Sequence, residues 1–134
     1  CAFYEALMAI LMKPADAPVP LPRHLIETMV GPAVTGRPDP ILRCDGPWGL
    51  GLMVDLRQHF FGDHTSARSF GHSGNSGSSF AFCDPTHDLS VSVLDTAKVD
   101  DHDAVLIRRH GFLTKLYELL DLPQRTPPGA AAGR

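Results

Sequence analysis

The densest group of residues that could do chemistry lies between residues 70 and 78, where the sequence reads Phe-Gly-His-Ser-Gly-Asn-Ser-Gly-Ser. Histidine and serine can move protons or attack a carbonyl, and closely spaced glycines let a substrate approach the backbone. Neither Ser73 nor Ser76 has glycines at both positions that a G-x-S-x-G nucleophile elbow requires. No lysine completes a phosphate loop, and no helix pattern follows to complete a dinucleotide site. A flexible Gly/Ser hairpin therefore stays open as an alternative.

Short strands flank this cluster and would position it. The stretches 69–72 and 78–83 are strand candidates, and the Asp-Pro pair at residues 84–85 predicts a turn. From Leu89 to Leu94, large apolar residues alternate with serines, which is the period of a strand with one buried face. The spacing predicts an antiparallel meander.

Helix patterns lie at both ends of the chain. Residues 2–12 contain no Gly or Pro, residues 22–30 start at a proline, and residues 101–120 begin with aspartates and end before Pro123. Between them, residues 31–47 predict irregular structure, and residues 48–54 predict a strand. The sequence predicts an α+β fold: an antiparallel sheet with flanking helices and the C-terminal helix packed on it. The second sheet face needs a cover that this chain does not obviously supply.

A family resemblance accounts for the cluster. The run from Phe70 to Pro85 has the form F-G-H-x-G-x-x-G followed by D-P, and the strand 89–94 comes next. This resembles the C-terminal part of the class C β-lactamase and penicillin-binding-protein-like serine hydrolase (esterase) family, over residues 2–120. The resemblance implies a β-lactamase/transpeptidase-like fold in which residues 1–121 form the C-terminal portion of the domain. Residues 122–134, rich in Pro, Gly and Ala, are expected to be a disordered tail.

Only one of the three catalytic motifs of that family is present. No serine is followed three residues later by lysine, and neither Tyr4 nor Tyr117 begins a Y-x-N or Y-x-S motif. The third motif, K-T-G or H-x-G, is matched by His72-Ser73-Gly74. The resemblance therefore implies a partner, a segment or companion chain that carries the nucleophilic Ser, the Lys and the Tyr.

The matched motif gives the candidate site. By the resemblance, His72 and Asn75 are catalytic, with the Asn75 N–H as an oxyanion donor, and Ser73, Gly74 and Ser76 bind substrate. Because His72 stands where penicillin-recognising members have lysine, esterase or peptidase-like activity on a small acyl substrate is at least as well supported as β-lactam hydrolysis. No cofactor is implied.

Other readings of the sequence remain. The chain could be a non-catalytic binding domain of the same fold, or Cys1 could act as an N-terminal nucleophile. Cys44 and Cys83 are expected to be free buried thiols, which favours a reducing compartment without fixing one. Trp48 is expected in the core. His59, Asp63 and His64 are expected to be exposed loop residues and not metal ligands.

Charge and hydropathy argue against two function classes. The formal net charge is −3, with both signs scattered along the chain, so no nucleic-acid footprint is expected. The longest apolar run, residues 6–12, is too short to span a bilayer.

Overall fold

The computed structural model describes residues 2–62, 64–74, 79–96 and 101–122. These residues contain three α-helices and four β-strands. In chain order the elements are α1 (Ala2–Met12), α2 (Arg23–Val30), β1 (Met53–Val54), β2 (Phe70–Ser73), β3 (Ser79–Asp84), β4 (Leu89–Leu94) and α3 (His102–Leu119). The predicted helices are confirmed to within two residues at each end. The predicted α+β class is confirmed as well.

The strands form one antiparallel sheet in the order β1-β2-β3-β4. Phe70 of β2 faces Cys83 of β3, and Phe82 of β3 faces Val91 of β4. Each strand pairs with the next one along the chain, so the meander predicted from the spacing is confirmed.

One sheet face packs against α3. Phe82 is fully buried there together with Leu113 and Tyr117 of the helix, four residues apart on one helix face. Arg109, one turn earlier, is also buried, and its guanidinium lies 4.5 Å from the ring centre of Phe60 and 4.8 Å from that of Phe80. Burial lowers the pKa of Arg109 to about 10. Leu120, the residue after α3, is 47% exposed.

The other face is covered only in part. Helices α1 and α2 bury the end of the sheet around Phe70 and Cys83, using Leu7, Met8, Ile10, Leu11 and Ile26. The Cys83 thiol donates to the Tyr4 carbonyl at 3.0 Å, and burial raises the pKa of Cys83 to about 12. Ser92 and Leu94 lie further along the same face and are exposed, Leu94 by 80%. The expectation that this face lacks a cover is wrong for one end of it.

The predicted strand over residues 48–54 is wrong over most of its length. Only Met53 and Val54 form a strand. The Gly49 N–H donates to the Leu52 carbonyl at 2.8 Å, and Gly51 has φ +77°, so residues 49–52 make a tight turn that only glycine accommodates well. The turn leaves Trp48 bridged to Met53 and to Val34.

Asp84 joins the sheet to α3. Its side chain is fully buried at the end of β3 and accepts hydrogen bonds from Ser66, Thr86, His87 and the Tyr117 hydroxyl. Burial alone would raise the pKa of Asp84, but these hydrogen bonds outweigh it and hold the pKa below its ordinary value. Next to this carboxylate the pKa of Tyr117 is raised, by burial first and then by the negative charge.

One expectation concerns the C-terminal end of the described residues. Leu122, assigned to the tail, packs partly against the α3 core, while residues 123–134 lie outside the described residues. Within the described residues, no helix combines the length and apolar character needed to cross a membrane.

Candidate active site

The site begins where β2 continues past the end of β1. Met53 pairs with Gly71, and no further pair of β1 with β2 follows toward His72. His72 and Ser73 pair with Ala81 and Phe80 of β3 on the other side. Within the described residues, one edge of β2 is therefore without a strand partner at His72 and Ser73.

Along β2, the N–H and C=O groups of alternate residues point toward this open edge. The Gly74 N–H donates to the Ser79 carbonyl of β3 at 2.8 Å. Because hydrogen-bonded pairs alternate in an antiparallel ladder, His72 also directs its backbone groups toward β3. The N–H and C=O of Ser73 consequently point away from β3, toward the open edge. An extended substrate lying along this edge would meet one donor and one acceptor there.

The His72 side chain is exposed at the same edge and has a defined orientation. Its Nδ1 lies 2.7 Å from the Ser73 carbonyl oxygen. Its ring packs edge-on against Trp48, with the ring centres 5.7 Å apart and the planes at 64°.

Trp48 packs against a second histidine in addition to His72. The indole is partly buried against the α3 core and also packs edge-on against His59, with centres 5.9 Å apart. His59 is buried, its Nε2 lies 2.9 Å from the Pro47 carbonyl oxygen, and its Nδ1 lies 3.6 Å from the Cys44 sulfur. A carbonyl only accepts, so Nε2 carries the proton and Nδ1 accepts from the thiol.

Burial sets the protonation of this pair. It lowers the pKa of His59 and raises that of Cys44, so both groups favour their neutral forms. Cys44 is half-buried and has no features of an activated thiolate.

Two expectations are corrected here. His59 is not an exposed loop residue, because it is 7% exposed and a Cβ on Gly46 would come within 2.4 Å of its ring. His64 is half-buried and packs on Tyr117, with the ring centres 6.0 Å apart. Trp48 fulfils the core expectation in part, since it packs on the core and on His72 together.

The neighbouring strand β3 leaves little room for a side chain at Gly74. A Cβ there would lie 2.4 Å from the Ser79 hydroxyl oxygen. Gly71 is constrained more severely, since its Cβ would meet the Ala81 carbonyl oxygen and the Phe82 Cβ, both at 2.4 Å.

The described residues contain only part of the predicted site. His72, Ser73 and Gly74 lie together at the end of β2, while Asn75 and Ser76 lie outside the described residues, as do Cys1 and Asp63. Sequence reasoning missed that Trp48 packs against both His72 and His59. No spacing signal could have found it, because the contact depends on the tight turn at 49–52.

Comparison with known proteins agrees with this geometry at the level of the fold. No family model and no curated protein matches the chain. Among solved structures, a β-lactamase from Mycobacterium bovis matches 86% of this chain with a TM-score of 0.64 and 20% identity. The chain has a β-lactamase-like fold. A novel penicillin-binding protein homologue from Caulobacter crescentus matches 81% of the chain with a TM-score of 0.52 and 26% identity. The β-lactamase-like chain spans 42% of the first neighbour and 29% of the second.

Proposed function

We propose that this chain supplies one wall of the active site of a serine hydrolase that works through an acyl-enzyme. The observation that carries the proposal is the open edge of β2, where the backbone groups of Ser73 and the side chain of His72 are available to a ligand. The β-lactamase-like fold supports it, since the two neighbours are named as a β-lactamase and a penicillin-binding protein homologue.

Each residue of the motif has a proposed role. His72 contacts the substrate or the attacking group at the edge. The Ser73 N–H binds the substrate backbone, as does the second lone pair of the Ser73 carbonyl oxygen, whose first lone pair accepts from His72 Nδ1. By the family resemblance, the Asn75 N–H donates to the oxyanion of the tetrahedral intermediate. Ser76 completes the substrate-binding set.

Gly74 has two proposed reasons to be glycine. A side chain would crowd a substrate at the edge, and it would also collide with the Ser79 hydroxyl. The second reason is internal to the sheet, so a substitution at Gly74 tests substrate crowding only when the Ser79 hydroxyl is removed as well.

The nucleophilic Ser, the Lys and the Tyr come from a segment or companion chain beyond these 134 residues. Exposed apolar side chains support the proposal that another segment packs on this chain. Leu94 is 80% exposed beside the partly covered sheet face, and Ile107 is 74% exposed next to an apolar groove on α3. The groove is lined by Phe60, Leu106, Ile107, His110 and Gly111. Such a surface is typical of one that another segment covers.

The substrate is a small ester or amide. Histidine in place of lysine removes a fixed positive charge from the edge, so esters and peptides are favoured over β-lactams with their carboxylate. A non-catalytic domain that binds peptides along the same edge would have the same open strand, and the experiment below separates the two.

The test uses the protein joined to the segment that carries the Ser, Lys and Tyr. His72→Ala is expected to lower kcat/KM for p-nitrophenyl esters by about tenfold or more, the loss expected for a positioned polar group. His24→Ala, an exposed histidine on α2, is the matched control and should leave turnover unchanged. Equal turnover by the wild type and His72→Ala would place the site elsewhere, and binding without turnover would favour the non-catalytic domain.

A second variant tests the edge itself. Gly74→Ala in a Ser79→Ala background removes the internal collision, so any loss of acylation then comes from crowding of the substrate. Ser79→Ala alone is the control.

A further inference from the structure

We propose that His72 determines substrate specificity by presenting Nε2 as a hydrogen-bond acceptor, so that the site prefers acyl substrates that carry a hydroxyl or amide N–H over those that carry a carboxylate. The inference rests on the proposed function and deepens it by naming the substrate class.

The first step is the tautomer of His72. Nδ1 lies 2.7 Å from the Ser73 carbonyl oxygen, which can only accept, so Nδ1 must carry the proton. In the neutral ring the other nitrogen then has a lone pair and no proton. Nε2 therefore accepts hydrogen bonds and cannot donate them while the ring is neutral.

The second step is the orientation of the ring. Trp48 packs edge-on against His72, and its backbone exchanges two hydrogen bonds of 2.9 Å with Val34. The Trp48 side chain is also held in place, because it packs against the buried ring of His59. That ring hydrogen-bonds to the Pro47 carbonyl. Trp48 is thus a positioning residue that limits the rotation of His72.

The third step is the exposure of the acceptor. His72 is exposed at the open edge of β2, next to the outward-facing backbone of Ser73. A substrate bound along that edge meets the lone pair of His72 Nε2, and the contact with Trp48 limits the rotation of this ring. A hydroxyl or amide N–H satisfies this lone pair, whereas a carboxylate is repelled by it. A lysine at this position would have the opposite preference, since its ammonium only donates.

A matched pair of esters tests the preference in the complete enzyme. The p-nitrophenyl esters of 4-carbamoylbenzoate and 4-carboxybenzoate have nearly the same shape and differ in one donor group. At a single alkaline pH, the wild type should favour the carbamoyl ester. His72→Lys should shift the kcat/KM ratio by about tenfold or more toward the carboxylate ester, and His72→Gln, which keeps an acceptor oxygen, should retain the carbamoyl preference. An equal ratio in the wild type and His72→Lys overturns the inference.

A second measurement decides the tautomer whether or not any ester is hydrolysed. The ring ¹⁵N chemical shifts of His72, assigned by their loss in His72→Gln, distinguish a protonated Nδ1 from a protonated Nε2. Protonated Nδ1 is expected in the wild type and in Trp48→Phe, and averaged shifts are expected in Trp48→Leu, which removes the aromatic edge. Protonated Nε2 in the wild type overturns the inference. Failure of ester turnover with the expected tautomer counts against the proposed function alone.

Discussion

Histidine has several roles in this chain, and its neighbours determine which. His59 is buried between Gly46 and Trp48, His87 donates to the Asp84 carboxylate, and His72 lies exposed at a strand edge. The sequence singled out His72 because glycines surround it in a recognisable motif. It could not predict the burial of His59, because the loop that packs on this ring comes from residues 44–48, more than ten positions away.

Asp84 gives a pH-dependent stability at the residue scale. Its hydrogen bonds hold the pKa in the native state below the ordinary value, so the unfolded chain binds the proton more tightly. The stabilisation is fully present above the pKa of an unfolded aspartate, about 3.9, and is lost as pH falls through the lower native pKa. Urea midpoints should therefore drop on acidification over that range, read by circular dichroism.

A matched pair of variants assigns the effect to this carboxylate. Asp84→Asn should be less stable than the wild type at neutral pH and should lose part of the acid dependence. Asp16→Asn, at an exposed position, should reproduce the wild-type profile. If Asp84→Asn keeps the full acid dependence, the stabilisation belongs to another group.

At the scale of the elements, apolar periodicity and turn residues predicted nearly all the helices and strands. The exception is the stretch 48–52. Its pattern of glycines alternating with apolar residues fits a strand, but Gly51 with φ +77° closes a turn instead. Short apolar runs with alternating glycines fit both structures, and only the pairing of Trp48 with Val34 and Met53 decides between them.

Two glycine substitutions should have opposite effects. Gly111 lies within α3, and a Cβ there meets nothing within 4 Å, so Gly111→Ala should stabilise the protein by about 0.5–1 kcal/mol through helix propensity. Gly71→Ala should destabilise it by about 1–3 kcal/mol or more, because the new methyl meets the backbone and side chain of β3 at 2.4 Å. Urea unfolding with unchanged slopes measures both. A Gly71→Ala variant as stable as the wild type would show that β2 and β3 are not packed as described.

For the molecule as a whole, the sequence predicted the fold class and a missing cover. The patterns of single strands indicated which faces are apolar. The partner that the family resemblance implies stays a prediction. The strand patterns did not show that α1 and α2 already cover one end of the sheet, since that contact joins residues 44 to 76 positions apart along the chain. Among the exposed large apolar residues, Leu94 lies at the uncovered end of that face, and Ile107 and Leu119 lie on α3.

This surface predicts self-association of the 134-residue chain. Ile107→Lys should reduce association measured by sedimentation velocity, because it places a charge beside the apolar groove of α3. Ile41→Lys is the control, since Ile41 has the same 74% exposure but lies in the loop before β1. A chain that is monomeric without either substitution, or that responds equally to both, would contradict the assignment of this surface.

The buried carboxylate of Asp84 also affects how the chain unfolds. It accepts hydrogen bonds from the loop before β2, from the β3–β4 turn and from the end of α3. Opening any one of these three segments would remove one or more hydrogen bonds from a buried carboxylate, which is costly. We therefore expect the C-terminal helix and the β3–β4 hairpin to unfold together, which native-state hydrogen exchange of their backbone amides would test.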